Sequence, residues 1–318
     1  MTARLRLGFL GTGDFAVASL RALVAAGHDL ALVVCQPDRP KGRGQQLQSP
    51  PLKRAALELG LTVEQPQRMR EPGAVAAFAQ AGLDLACVVA YGQILPQAVL
   101  DAPRLGCVNV HASLLPRWRG AAPIEWALAA GDAETGVCVQ RMVYKLDAGD
   151  VLLSHRRALT PQDDGPGLHA ELALAGAQLL LRAVEGLAQG TLTGRPQDEG
   201  GVSLARLLKK EDGALDPAWP RAQLLNRFRA FRARPGVWVQ VQGGELLKLH
   251  AIADAGSQGG EPGRLLALGE RGFKLACADG AVWLEQVQPP NGRAMPAADY
   301  ARGHAVAVGT RLVKPVWD

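Results

Sequence analysis

The sequence predicts an α/β protein: a Rossmann-like parallel sheet in its first half, followed by a small β-barrel or sandwich. Three observations predict it. Short, nearly continuous apolar runs alternate with helical patterns as far as Gly190, as expected for strands covered on both faces. The turn "GTGDFA" at residues 11–16 joins the first apolar run to the first helical one. Beyond Pro235 the pattern changes to short alternating runs separated by glycine-rich turns.

Taken in order, "LRLGFL" reads as a strand and "DFAVASLRALVAAG" as a helix stopped at Gly27. "LALVVC", "LTVEQ", "LDLACVVA" and "GCVNV" follow as strands, with helices near 51–59 and 72–80 between them. The long helical pattern "GPGLHAELALAGAQLLLRAVEGLAQG" closes a first domain, residues 1–190. Residues 191–206 are rich in Gly, Thr, Pro and Gln without periodicity and read as a linker. The second domain, 207–318, opens with "PAWPRAQLLNRFRAFRARPG", a basic helix broken by Pro235. The runs "VWVQVQ", "ELLKLHAI", "RLLAL", "FKLACA" and "AVWLEQVQ" then supply the strands.

Composition narrows the class. Apolar residues make up 48% and charged residues 20%, the balance of a globular protein without a membrane span. The start, "MTARLRLGFLGTG", turns to glycine too soon for a signal peptide, so a cytoplasmic location is expected. Five cysteines stand singly at 35, 87, 107, 138 and 277, a pattern of reduced core thiols that offers no metal site. The net charge of +5 is concentrated in two stretches. Gln36–Arg54 carries five basic residues against Asp38, and Leu204–Pro235 carries eight against three acidic ones. Such confinement is the footprint of a polyanionic partner.

Two groups of residues carry candidate chemistry. "GTGDFA" fits a dinucleotide fingerprint, but that fingerprint also needs an acid at the end of the second strand to hold a ribose. Cys35 and Gln36 stand there instead, so no nicotinamide cofactor is expected. The stronger group begins at "NVHASLLPRWRG", where a buried strand ends in Asn109 and His111. The strand period of two places both on one side. Further on, "LDAGD" interrupts an apolar run with a turn that can aim Asp147 back at the sheet end.

These residues carry a resemblance. "NVHASLLPRWRGAAPIEWALAAGD", "TGV" and "LDAGDVL" resemble the signature of the folate-dependent formyltransferases. "QPDRPKGRGQQLQSPPLK", "VVAYGQILP", "KKEDGALDPAW", "RAFRARPGVW" and "VWLEQVQPPNGRAMPAADYARGH" are similar, in order along the chain, to members of that family acting on tRNA. The resemblance implies a formyltransferase domain followed by an OB-like barrel that binds tRNA. It implies transfer of a formyl group from 10-formyltetrahydrofolate, as co-substrate, to the α-amine of methionine on initiator methionyl-tRNA, for translation initiation. A monomer that needs neither metal nor NAD is expected.

Residue by residue, it assigns catalysis to Asn109, His111 and Asp147. Folate binding falls to Ser113, Leu114, Leu115 and Pro116, and the pterin pocket to Tyr91, Gly92 and Ile94 within Tyr91–Pro96. The tRNA contacts fall to Arg39, Lys41 and Arg43 in the first basic stretch and to Lys209, Lys210 and Arg232 in the second. Glu125, Trp126 and Lys145 depart from the family pattern without touching the trio. The residue types suit the chemistry independently. An attacking α-amine has a reference pKa of about 7.7–8.0, so part of it is free at neutral pH. Donors aimed at the tetrahedral oxyanion are each worth about 10²–10³ in rate.

Overall fold

The computed structural model describes residues 4–41, 44–304 and 306–317 of the 318, and gives the backbone but not the side chain of Lys41. Arg43 lies outside the described residues. The chain divides into two compact units. The first comprises residues up to Pro123 with Glu134–Ala158 and Leu168–Arg206; the second comprises Ile124–Ala133, Leu159–Gly167 and Leu207 onward. Residues 191–206, expected as a linker, therefore belong to the first unit.

In the first unit, β1 (Arg6–Gly11) is an interior strand of a seven-stranded sheet. Leu7, Phe9 and Leu10 are fully buried, because a central strand covered on both faces must be apolar throughout. Helix α1 (Asp14–Ala25) opens with an acid in its first turn, where the helix dipole favours negative charge, and stops before Gly27 at φ +80°. β2 (Asp29–Val34) is followed by a hairpin of β3 (Arg39–Lys41) and β4 (Gln46–Gln48), then by α2 (Pro51–Glu58). β5 (Val63–Glu64), α3 (Pro72–Gln80), β6 (Leu85–Val89), α4 (Gln97–Leu100) and β7 (Cys107–His111) continue the parallel order.

The short β8 (Arg119–Gly120) and α5 (Pro123–Ala130) precede a long hairpin of β9 (Glu134–Arg141) and β10 (Val151–Ala158). Helix α6 (Gly165–Ala188) and β11 (Leu204–Ala205) complete the unit's elements. The sheet order is β10-β9-β7-β6-β1-β2-β5, and β9 runs antiparallel to β7. The sheet is thus parallel in its core with an antiparallel hairpin at one edge. The chain reverses at "LDAGD" instead of crossing over through a helix, so β10 must return beside β9. On one face, Gly176 of α6 lets Val110 approach; a Cβ there would sit 2.8 Å from its Cγ1. Asn109 and His111, alternating with Val110, face the other way.

The second unit contains α7 (Arg221–Phe231) and one curled antiparallel sheet. Its strands are β12 (Val237–Val241), β13 (Leu246–Asp254), β14 (Leu265–Gly269), β15 (Gly272–Cys277), β16 (Gly280–Gln288) and β17 (Met295–Pro296). Helix α8 (Ala297–Gly303) and β18 (Leu312–Val313) follow. The order β14-β15-β16-β13-β12-β18 brings the sheet's two ends together. Leu265 N–H donates to Thr310 O (2.9 Å) and Leu312 N–H to Gly263 O (2.7 Å). One sheet curling on itself, around Val239, Leu249, Phe273, Leu284 and Tyr300, makes a barrel-like core and rules out the sandwich alternative.

Candidate active site

The carboxyl ends of β6 and β7, adjacent and parallel, form the floor of the site. Asn109 pairs in register with Val88 on one side and Gln140 on the other, and His111 pairs with Cys138. Registered neighbours share a face, so Asn109 and Gln140 stand side by side. His111 is only 6% exposed. Its Nε2 lies 2.9 Å from the Trp118 carbonyl, which can only accept, so Nε2 carries a hydrogen. Nδ1 faces Asp147 Oδ2 at 3.7 Å, too far for a direct hydrogen bond. The nitrogen open to chemistry is therefore Nδ1.

Asp147 is held from several sides. Its Oδ2 accepts from the Gly120 N–H (2.9 Å) and its Oδ1 from Gln140 Nε2 (2.9 Å). Its backbone is left-handed, at φ +44°, as are Trp118 at +64° and Ala90 at +48°. For residues other than glycine this costs about 1–3 kcal/mol each, and such strain persists only where the surroundings enforce it. Two glycines make the enforcement possible. Gly149 follows Asp147 so closely under β9 that a Cβ would lie 1.9 Å from Arg141 O. Gly120, at φ +124°, would put a Cβ 2.5 Å from Ala205 O.

A chain of polar side chains runs outward from the carboxylate. Gln197 Nε2 donates to Asp147 O (2.8 Å) and Gly149 O (2.7 Å), with a longer contact to Gln140 Oε1 (3.3 Å). Gln197 Oε1 accepts from Arg119 Nε (3.0 Å) and NH2 (2.8 Å). Arg119 is almost completely buried and also pairs with Glu199, which in turn holds Lys145. Hydrogen bonding by Arg119 and then Lys145 keeps the Glu199 carboxyl below the usual range. Lys145, a departure from the family pattern, thus has a structural partner. Trp126, another, packs edge-on against Phe231 within the second unit, ring centroids 5.6 Å apart.

The expected folate segments are set by internal contacts. Ser113 is fully buried and its hydroxyl donates to Arg117 O (2.7 Å), so it ties the loop together and leaves Leu114, Leu115 and Pro116 half-buried at the surface. The Tyr91 side chain lies in the core with Leu10, Val34 and Leu95, and its carbonyl accepts from Thr12 Oγ1 (2.9 Å) as well as from Gln36. Gly92 and Ile94 are exposed. Gln36, standing where a ribose-binding acid would be, instead ties two strand ends together, its Nε2 donating to Tyr91 O (3.2 Å) and Gly92 O (3.0 Å).

The basic residues divide into committed and available ones. Arg39 is exposed and donates to Gln36 Oε1 (3.0 Å). Lys53 is committed to Asp38, at 2.9 and 3.0 Å, and this contact and Gln65 hold that carboxyl below its ordinary range. In the second unit Lys209 and Lys210 are exposed, and Lys210 Nζ lies 5.2 Å from the Trp317 ring. Arg227 stacks between Trp219 and Phe231, and Arg229 donates to Thr160 O. Arg232 is exposed but pairs with Asp164. Among the described residues no cluster of His, Cys, Asp and Glu could hold a metal ion, and no helix is long and apolar enough to cross a membrane.

Sequence reasoning missed Gln140 and Gln197, and noted Gln36 only as standing in place of a ribose-binding acid. A glutamine inside the buried run "VCVQR" was a readable signal for Gln140; nothing local marked Gln197.

The chain is similar to known proteins along nearly its whole length. The model of the formyl transferase family matches residues 5–184, and that of the formyl transferase C-terminal domain matches 207–305. Among similar relatives, the methionyl-tRNA formyltransferase of Neisseria meningitidis (serogroup A, strain Z2491) is 45% identical over 306 residues, covering 96% of this chain and 99% of that one. That of Geobacter metallireducens is 42% identical over 310 residues, covering 98% and 99%. Among solved structures, the sugar 3N-formyl transferase WlaRD, determined with dTDP and 5-N-formyl-THF, superposes with a TM-score of 0.66 at 15% identity over 91% of this chain and 99% of that one. HypX from Aquifex aeolicus in complex with tetrahydrofolic acid gives a TM-score of 0.63 at 19% identity, over 94% and 47%. Those two likenesses concern the fold. With both family models matched in order and relatives above 40% identity along nearly its whole length, the chain belongs to the formyl transferase family, among the methionyl-tRNA formyltransferases.

Proposed function

We propose that this chain, a cytoplasmic monomer, transfers the formyl group of 10-formyltetrahydrofolate to the α-amine of methionine on initiator tRNA, for translation initiation. The observation that carries the reading is the meeting of Asn109, His111 and Asp147 at the carboxyl ends of adjacent parallel strands, where α/β sheets bind ligands. Bound 10-formyltetrahydrofolate supplies the carbonyl carbon that the amine attacks. The exposed Gly92 and Ile94 and the half-buried Leu114–Pro116 loop suit a flat pterin ring.

Asn109 donates its amide hydrogens to the oxyanion that develops on the formyl group. His111, fixed through Nε2 to Trp118, presents Nδ1; with a proton there the ring donates to the same oxyanion. Asp147 accepts the proton shed by the amine, directly or through water, and relays one toward the departing folate nitrogen. Arg39, Lys41 and Arg43 contact the tRNA from the first unit. Lys209, Lys210 and the remaining donors of Arg232 contact it from the second. The test is formylation of charged initiator tRNA by the full chain, with free methionine as control. Transfer to the charged tRNA alone is expected; equal transfer to free methionine, or formate release without acceptor, contradicts the reading.

A further inference from the structure

We propose that Gln197 is a positioning residue for Asp147, holding the turn that aims the carboxylate at the reacting atoms. The proposal rests on the reading of Asn109, His111 and Asp147 as the reacting trio. Gln197 lies in a segment that composition marks only as a linker, yet its side chain spans the turn, donating to the carbonyls of Asp147 (2.8 Å) and Gly149 (2.7 Å). Carbonyls only accept and a guanidinium only donates, so the amide's orientation is fixed by its neighbours: nitrogen to the turn, oxygen to Arg119. Both amide hydrogens and both oxygen lone pairs are used. The Arg119 fork that holds the oxygen is itself buried, and a buried donor left unpaired is costly, so the amide cannot swing away freely.

The backbone after Gln197 extends the same support. Leu204–Ala205 runs as a parallel ladder with Arg119–Gly120, and Ser203 Oγ accepts from the Trp118 N–H (2.9 Å). Trp118 supplies the carbonyl that holds His111, and Gly120 the N–H that holds Asp147. The left-handed backbone of Asp147 is a minority conformation for a residue other than glycine, and these contacts favour it. Without the two donations from Gln197, the turn is free to relax and the carboxylate to move.

A displacement of about an ångström at a reacting group can cost about 10²-fold in rate. The test replaces Gln197 in the full chain by Glu and, separately, by Met. It measures kcat and KM for charged initiator tRNA and for 10-formyltetrahydrofolate, with Asp147→Ala in parallel and 5-formyltetrahydrofolate binding and thermal midpoint as measures of folding. Gln197→Glu keeps the length and gives Arg119 an acceptor, but has no N–H for the two carbonyls; Gln197→Met keeps only the length. Positioning predicts that both lower kcat by about 10–100-fold while either KM moves by less than about twofold. Wild-type kcat in a folded Gln197→Glu or Gln197→Met overturns the proposal, since the donations then do not matter. A rise in KM at unchanged kcat overturns it too, as does failure of both variants to fold, which makes the role structural. Near-normal turnover by Asp147→Ala removes the trio reading itself, and the proposal with it, whatever Gln197 shows.

Discussion

Asn109, His111 and Asp147 differ in how tightly the protein holds them. His111 is tied through Nε2, Asp147 through both carboxylate oxygens, and Asn109 by its place in the sheet beside Gln140. Substituting Ala at any one of them is expected to slow single-turnover formylation by at least about 10²-fold. His111→Ala/Asp147→Ala is expected to be little worse than the poorer single variant, because groups acting as a unit fail together. Near-normal turnover in any single variant removes that residue from the trio. The cysteines obey the opposite logic. Burial pushes the thiols of Cys35 to about 11 and of Cys107 and Cys138 to about 12, and raises Cys87 and Cys277 as well. A raised value means little thiolate below it, and the thiolate is the reactive form. Iodoacetamide at pH 8 should leave all five unmodified in the folded protein and label them after denaturation; rapid labelling of Cys138 in the native state would contradict its burial beside His111.

At the scale of elements, the trio depends on two turns that the sequence shows unequally. "LDAGD" is legible: a polar break in an apolar run, with a glycine at the point where a Cβ would sit 1.9 Å from Arg141 O. Gly149→Ala should therefore lower the thermal midpoint and abolish turnover together, and retention of both would show that the turn can shift harmlessly. The support from residues 197–205 was not legible, because Gln197 and Ser203 sit among residues without period and act across long sequence separations. Parallel strands of the core were readable from their apolar runs, whereas the antiparallel edge was not, since strand direction depends on how the chain returns and leaves no mark in a strand's composition. The first basic stretch was legible as charge but not as commitment: Lys53 is spent on Asp38, leaving Arg39 exposed. For the exposed Lys209, Lys209→Ala is expected to reduce the slope of log affinity for tRNA against log salt by about one unit and to leave folate affinity unchanged. An unaltered slope would assign that lysine to solvent.

For the whole molecule, basic charge is shared by both units. The trio, the expected folate segments and Arg39 belong to one compact unit, and Lys209, Lys210 and Arg232 to the other. The sequence reads as a domain to residue 190, a linker over 191–206 and a domain from 207; that 124–133 and 159–167 join the second unit was not expected, because it follows from packing such as Trp126 on Phe231. Gln36 on the carbonyls of Tyr91 and Gly92, in place of an acid, leaves a nucleotide ribose without its usual partner. Reduced folates should therefore raise the thermal midpoint and NAD should not; protection by NAD alone would contradict the site assignment. The central claim is tested most directly by incubating the full chain with 10-formyltetrahydrofolate and initiator tRNA charged with methionine, and following formyl transfer to the aminoacyl group over time. Formylation of the charged tRNA that is lost in Asp147→Ala, with free methionine untouched, is the predicted result. No transfer to charged tRNA by a chain that binds the folate, or equal transfer by Asp147→Ala, would contradict it.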